Sequence, residues 1–145
     1  MLIGQGCRHF LLEVGGELRG AGIKPDGQPW WVEIEQPPGV ETPPMRVALH
    51  QLAIATSGDY RRWLDADGRR YAHTIDPRSG RSIDNAARSV TVLHARCMMA
   101  DAWATALSVL GADAGMALAE REGLAARMLD AAGEHMSPAF RAMLD

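Results

Sequence analysis

The chain has 145 residues, which suits a single domain over residues 1–145 with a core of its own. Its formal net charge of −3 excludes the broad positive surface that binds nucleic acids or anionic membranes. No run of about 20 apolar residues predicts a membrane span. The start, MLIGQGCRHF, lacks the pattern of a secretory signal, which favours a cytoplasmic location.

The first part of the chain predicts strands separated by turns. FLLEV is typical of a buried strand, and WWVEIE alternates as a strand with one wet face does. Four prolines in QPPGVETPP indicate a loop, because proline cannot donate to a sheet ladder. The remaining segments in order are a turn at Gly15-Gly16, a strand in ELRGAG, a turn in KPDGQP and one or two strands in RVALHQLAIATSG.

The second part predicts a hairpin, a strand and then helices. DADGRR indicates a turn before a short strand at Tyr71–His73, and SVTVLH is a β-branched strand. The helices follow at Arg96–Leu110, closed by Gly111; at AGMALAERE, capped by Asp113 and ended by Gly123; and at SPAF, with Ser137 as N-cap and Pro138 at the first position. LAARMLD is a strand between the last two. Strands before helices predict an α+β fold with a mostly antiparallel sheet and helices packed on it.

MADAWATAL carries a candidate cation site. On a helix Asp101 and Thr105 stand at i and i+4, so both side-chain oxygens face the same side between small alanines. A carboxylate and a hydroxyl suit a hard cation such as Mg²⁺, with phosphates and waters in the other positions. The alternative is a solvated aspartate and a threonine bonded back to its own helix.

The loop YAHTIDPRSG contains more chemistry than a turn requires. Asp76-Pro77 starts a turn and Gly80 supplies a permissive backbone. His73 can exchange a proton near neutral pH, and Arg78 can hold a phosphate through two hydrogen bonds. The alternative is a hairpin loop with a surface histidine and arginine.

Two further stretches are weaker candidates. ATSGDY brings Ser57, Gly58 and Asp59 to the end of a strand, where backbone N–H groups can meet an anion, although a plain turn has the same residues. The paired glycines in VGGELRG allow close approach of a ligand, or simply turn the chain. The other histidines (His9, His50, His94 and His135) show no ligand spacing, and Cys7 and Cys97 are interpreted as small core residues.

Together these stretches resemble the ApbE family, the FAD:protein FMN transferases. The resemblance runs from about Phe10 to Asp130, and its most specific part is HTIDPRSG followed by ADAWATA. It implies a T-fold-like half of an ApbE-type domain. It also implies transfer of FMN from FAD to a threonine or serine hydroxyl of an acceptor flavoprotein, with Mg²⁺ as cofactor.

The resemblance assigns roles to the candidate residues. Asp101 and Thr105 match the magnesium ligands, and His73 matches a loop histidine that acts as general base. Asp76 and Arg78, together with Ser57, Gly58 and Asp59, match positions beside the flavin substrate.

Members of the family are much longer than this chain. The resemblance therefore predicts the C-terminal portion of such an enzyme, with a missing N-terminal half or a partner chain completing the cleft. Apolar surface left open where that half would pack predicts self-association. The alternative functions are a non-catalytic flavin-binding or interaction module, and a FAD pyrophosphatase that releases FMN and AMP. The family is largely periplasmic and lipid-anchored, in contrast to the cytoplasmic expectation.

Overall fold

The computed structural model describes residues 2–60, 63–85 and 87–144, with backbone only at residues 69 and 70. A short 3-10 turn at Ile3–Gln5 precedes the first strand. The strands are β1 (Phe10–Val14), β2 (Glu17–Ala21), β3 (Trp30–Glu33), β4 (Arg46–Leu49), β5 (Ala53–Gly58), β6 (Trp63–Ala66), β7 (Arg69–Ala72), β8 (Ile75–Asp76), β9 (Arg81–Ser82), β10 (Ser89–His94), β11 (Ala125–Leu129) and β12 (Glu134–Met136). The helices are α1 (Cys97–Arg121) and α2 (Pro138–Arg141).

A six-stranded sheet organises the fold. Its order is β1-β2-β5-β10-β11-β12, and each neighbouring pair runs antiparallel. Three separate two-stranded ribbons, β3–β4, β6–β7 and β8–β9, accompany it in the described ranges. The predicted α+β class with a mostly antiparallel sheet is confirmed.

The two faces of the sheet bury different elements. Val90 and Val92 of β10 face α1, where Ala100, Ala104 and Leu107 are fully buried. Small residues on this side of α1 let the helix lie close to the strands, in contact with β5 and β10. The opposite face packs against β3, β4 and α2 in a second cluster that includes Leu49, Ile54, Leu93 and Phe140.

Helix α1 bends at Gly111. This residue has φ 77° and ψ −176°, so the backbone leaves the helical region there. The Asn85 amide donates to the carbonyls of Ser108 and Val109 at 2.8 and 3.2 Å, which satisfies acceptors freed by the bend. The predicted break at Gly111 is confirmed, although the two helical segments that meet there continue as the single element α1. The predicted cap at Asp113 is wrong, because the non-helical residue that starts the second segment is Gly111.

Strand β1 corrects a second prediction. It was expected to be buried, but Leu11, Leu12 and Val14 are exposed, because β1 is the edge strand of the sheet and, within the described part of the chain, pairs only with β2. Cys7 is exposed as well, so its interpretation as a core residue is wrong. Ser137 does cap α2 as predicted, since its side chain accepts a hydrogen bond from Phe140 N.

The expectation that the chain has no membrane span meets one exception, helix α1. By length and composition alone, α1 meets the criteria for a membrane-crossing helix, because the two predicted helices join into one 25-residue element. In the domain α1 packs against β5 and β10 on one side, and Asp101 and Asp113 lie on its exposed side.

Candidate functional site

A cavity of about 500 Å³ lies where the β1–β2 turn, β3, the end of β5 and the first part of α1 meet. Its lining includes residues that the sequence placed on three separate segments: Ser57, Gly58, His73, Asp101 and Thr105. The antiparallel pairing of β5 with β10, and the packing of α1 on both, bring these segments together.

Strand β5 and helix α1 join directly at this cavity. The hydroxyls of Ser57 and Thr105 lie 3.0 Å apart and share a hydrogen bond. Asp101 stands one helical turn before Thr105, and both side chains are exposed at the cavity wall. The predicted shared face of Asp101 and Thr105 therefore exists, and it adjoins Ser57 near the end of β5.

His73 is paired with Asp59. Its Nδ1 lies 2.9 Å from Asp59 Oδ1, and the side chains are 45% and 21% exposed. The Thr74 hydroxyl donates to the same carboxylate oxygen at 3.4 Å. Burial raises the pKa of Asp59, and the charge of His73 and the Thr74 hydrogen bond oppose that rise. The carboxylate can thus hold the imidazole with a proton on Nδ1, which makes Nε2 the basic nitrogen.

Asp76 and Arg78 pair with each other at the tip of the same loop. The Arg78 Nε and Nη2 atoms donate to the two carboxylate oxygens at 2.9 and 3.0 Å. The Arg78 hydrogen bonds lower the pKa of Asp76. Neither residue lines the 500 Å³ cavity described above. Their contact with a bound flavin nucleotide stays a prediction, as does that of Asp59, which stands behind His73.

Sequence reasoning missed the carboxylates that line the cavity. Glu13 and Glu17 flank the β1–β2 turn, whereas Glu33 ends β3 and Glu35 follows it, so the two groups meet only after folding. The single local signal was the Gly15-Gly16 pair, which lines the cavity between Glu13 and Glu17. The Cys97 thiol donates to Glu17 at 3.6 Å, and burial followed by the nearby carboxylates raises its pKa. The thiol therefore stays protonated at neutral pH.

Tyr60 is a second residue that the sequence did not single out. Its ring packs so closely on Gly58 that a Cβ at that position would lie 2.4 Å from Tyr60 Cε1. Gly58 therefore leaves room for the ring at the cavity. Burial raises the pKa of Tyr60, so its hydroxyl remains a hydrogen-bond donor over the physiological range.

The donor set fits a hard cation that is held partly by its substrate. Asp101 and Thr105 offer oxygens, the ligand type that Mg²⁺ prefers. Within the described ranges, no group of three or more His, Cys, Asp or Glu side chains could hold a metal on its own. A magnesium ion here would therefore take its remaining ligands from water and phosphate oxygens. The role of these two residues as metal ligands stays a prediction.

The other histidines have partners elsewhere. Nδ1 of His9 lies 3.0 Å from the backbone N and O of Ile23, and His50 Nδ1 lies 3.2 Å from Gly22 O. His94 accepts from Arg96 N, and His135 pairs with Asp130 at 3.0 Å. None of these four lines the cavity, in agreement with their predicted structural or surface roles.

The family model described as "ApbE family" matches residues 1–128. Among curated relatives, the FAD:protein FMN transferase of Vibrio cholerae is 42% identical over 146 residues, which cover 97% of this chain and 43% of the relative. The Escherichia coli K12 enzyme of the same name is 39% identical, with 97% and 41% covered. The chain spans less than half the length of these relatives.

Solved structures show the same partial match. The apo form of the Pseudomonas stutzeri flavinyl transferase ApbE superposes with a TM-score of 0.85 at 41% identity, over 98% of this chain and 45% of that one. The flavin transferase ApbE from Vibrio cholerae gives 0.83 at 41% identity, over 98% and 46%. The Thermotoga maritima ApbE protein gives 0.79 at 31%, over 92% and 44%.

Proposed function

Because the chain belongs to the ApbE family, we propose that it acts in the Mg²⁺-dependent transfer of FMN from FAD to a serine or threonine hydroxyl of an acceptor flavoprotein. Relatives that match almost the whole chain carry the name FAD:protein FMN transferase. One observation carries the proposal: His73 with its Asp59 partner and the Ser57–Thr105–Asp101 group meet at a single cavity.

In this proposal His73 is the general base. The acceptor hydroxyl oxygen attacks the phosphorus of the FMN half, and its proton passes to Nε2 of His73. The pyrophosphate bond breaks, and AMP leaves with the bridging oxygen. Asp59 stabilises the imidazolium that forms, because its carboxylate lies 2.9 Å from Nδ1. Such proton transfer contributes about 10²- to 10⁴-fold to a rate.

Asp101 and Thr105 would hold the magnesium ion. When bound, Mg²⁺ neutralises the charge of the phosphates during phosphoryl transfer. The Ser57 hydroxyl, 3.0 Å from that of Thr105, keeps the threonine side chain oriented. The glutamates on the cavity wall make the site unfavourable for a bare pyrophosphate, so we expect FAD to bind only weakly without a cation.

The test is a titration of the chain with FAD, followed by flavin fluorescence, with and without Mg²⁺. The wild type should bind FAD about tenfold or more tightly with Mg²⁺, and Asp101→Ala should remove that gain. Asp113→Ala is the matched control, because Asp113 is an exposed aspartate of the same helix away from the cavity. An equal Mg²⁺ effect in wild type and Asp101→Ala would contradict the proposed ligand.

Hydrolysis of FAD by the same residues would use water in place of the acceptor hydroxyl. The two reactions differ in their product, so incubation with FAD, Mg²⁺ and an apo-flavoprotein separates them. Covalent flavin on the acceptor after denaturing electrophoresis indicates transfer. Free FMN with no labelled protein indicates hydrolysis.

A further inference from the structure

His73 lies between two cavities. Besides the 500 Å³ cavity, it lines a groove of about 420 Å³ formed by the β6–β7 hairpin and the loop that follows it. We call this second space the hairpin groove; its lining is Leu64, Ala66, Tyr71, Ala72, His73, Ile75 and Ser82. A group that lies in the hairpin groove can therefore contact His73 without occupying the cavity that holds the Ser57–Thr105 pair.

The hairpin groove is apolar and open. Leu64 and Tyr71 are directly opposite each other in the β6–β7 pairing, so they share a face of the ribbon with Ala66. Leu64 is 65% exposed and Ile75 is 51% exposed. Two large aliphatic side chains this exposed beside a proposed catalytic histidine indicate a surface that another molecule covers.

We propose that the hairpin groove binds the acceptor protein, in an extended segment whose apolar side chains flank the serine or threonine that receives FMN. This inference rests on the proposed function, because it says where the acceptor protein, the second substrate of that reaction, binds. Leu64 and Ile75 would contact the flanking side chains, and the acceptor hydroxyl would then lie at His73.

The chemistry of the groove favours a polypeptide over the dinucleotide. FAD carries a charged pyrophosphate, and among the described side chains of this lining His73 alone can become a cation. The β6–β7 ribbon holds two strands in the described ranges, so a backbone can lie alongside it, as in β-strand addition. A four-residue strand is about 13 Å long, which matches about four residues of an extended acceptor segment.

The experiment measures acceptor binding separately from catalysis. The probe is a flavoprotein that carries FMN on a threonine, produced without flavin and labelled with a fluorophore. Leu64→Asn and Ile75→Asn are prepared singly, so that the inference survives the misfolding of one variant. The control is Leu144→Asn, because Leu144 is an exposed leucine outside both cavities. FAD affinity with Mg²⁺ is measured on every variant.

We expect each groove variant to weaken acceptor binding about tenfold, with Leu144→Asn and all FAD affinities within about twofold of wild type. Equal affinities in groove variants and control would overturn the inference. So would an absence of acceptor binding by the wild type; intact Mg²⁺-dependent FAD binding in that case would leave the proposed function standing. A groove variant that changes the size of the free protein in sedimentation would instead assign the groove to contact between copies.

Discussion

At the scale of single residues, Asp59 orients the ring of His73, the proposed general base. Its carboxylate holds Nδ1 of His73 at 2.9 Å, so replacement by an amide would favour the wrong tautomer of the ring. We predict that Asp59→Asn lowers the initial rate of acceptor flavinylation at least about tenfold with little change in FAD affinity. Asp67→Asn is the control, since Asp67 is an exposed turn residue with φ 51°, which asparagine tolerates.

The same substitution should not weaken the fold at neutral pH. Burial raises the pKa of Asp59 above 3.8, despite the opposing charge of His73. An acid with a raised folded pKa stabilises the fold below its unfolded pKa, and that contribution is lost as pH rises through the folded pKa. We therefore expect the Asn variant to have a melting temperature at pH 7 no lower than wild type. A clear loss of stability at pH 7 would contradict this sign.

Arg127 presents a different residue-scale problem, because its side chain is 1% exposed. Its Nε and Nη2 both lie 2.6 Å from Glu134 Oε1, and Nη2 also donates to the Thr42 hydroxyl. Removing one partner of a buried pair leaves an uncompensated charge. We predict that Glu134→Ala lowers the free energy of unfolding by about 3 kcal/mol in urea titrations.

The exposed pair Arg121–Glu122 supplies the control for that experiment. Its atoms also lie close, at 3.0 Å, but its side chains are 72% and 40% exposed. Glu122→Ala should therefore cost less than about 1 kcal/mol. Equal losses in the two variants would mean that burial does not set the strength of the Arg127 pair.

Site residues could be predicted from the sequence where the residues that act together lie close along the chain. Asp101 and Thr105 were found because helical periodicity alone places them together. His73 was found because a turn has no need of it. Glu17 and Glu33 reach the same cavity only through the packing of the β3–β4 ribbon beside the six-stranded sheet, which composition and spacing do not encode. The Asp59–His73 pair likewise joins residues 14 positions apart, on either side of the β6–β7 hairpin.

At the scale of elements, the bend in α1 is tied to one glycine. Gly111 has φ 77° and ψ −176°, a region that is essentially closed to other residues, although a Cβ would clear Asn85 at 3.6 Å. We predict that Gly111→Ala lowers the free energy of unfolding by about 1–3 kcal/mol. Gly111→Asn should cost as much, since the position is not the left-handed helical region that asparagine tolerates. Thermal unfolding with full baselines measures both.

Element boundaries followed local chemistry well where a glycine or cap marks them. The end of the first helix at Gly111 and the start of α2 at Ser137 were predicted for that reason. Burial of β1 was not predictable, because an apolar run such as FLLEV looks the same in the middle of a sheet and at its edge. Asp113 resembled a cap by residue type, but the backbone angles that define the cap belong to Gly111.

At the scale of the whole molecule, the six-stranded sheet separates two buried clusters, and the candidate site lies beside the first part of α1. Helix α1 covers β5 and β10, and it carries Asp101 and Thr105 to the cavity where β5 ends. The ribbon β6–β7 stands outside this sheet and ends one residue before His73. The packed layers therefore position the oxygens that we propose as metal ligands, while a ribbon outside the sheet positions the proposed base.

The apolar edge of that sheet leads to the last prediction. Leu12 and Val14 are 46% and 69% exposed and alternate along β1 onto one face, next to a strand edge with no partner in the described ranges. Exposed edges of this kind pair with other chains. We expect the isolated chain to self-associate in sedimentation velocity at about 100 μM, a working concentration within the range at which exposed strand edges associate.

The double variant Leu12→Lys/Val14→Lys should sediment as a monomer with unchanged stability, because charged edge residues oppose pairing and both sites are exposed. Leu144→Lys, which removes an exposed leucine elsewhere, should leave the association unchanged. A wild-type chain that sediments as a monomer at this concentration would contradict the prediction that the exposed edge of β1 pairs with another chain.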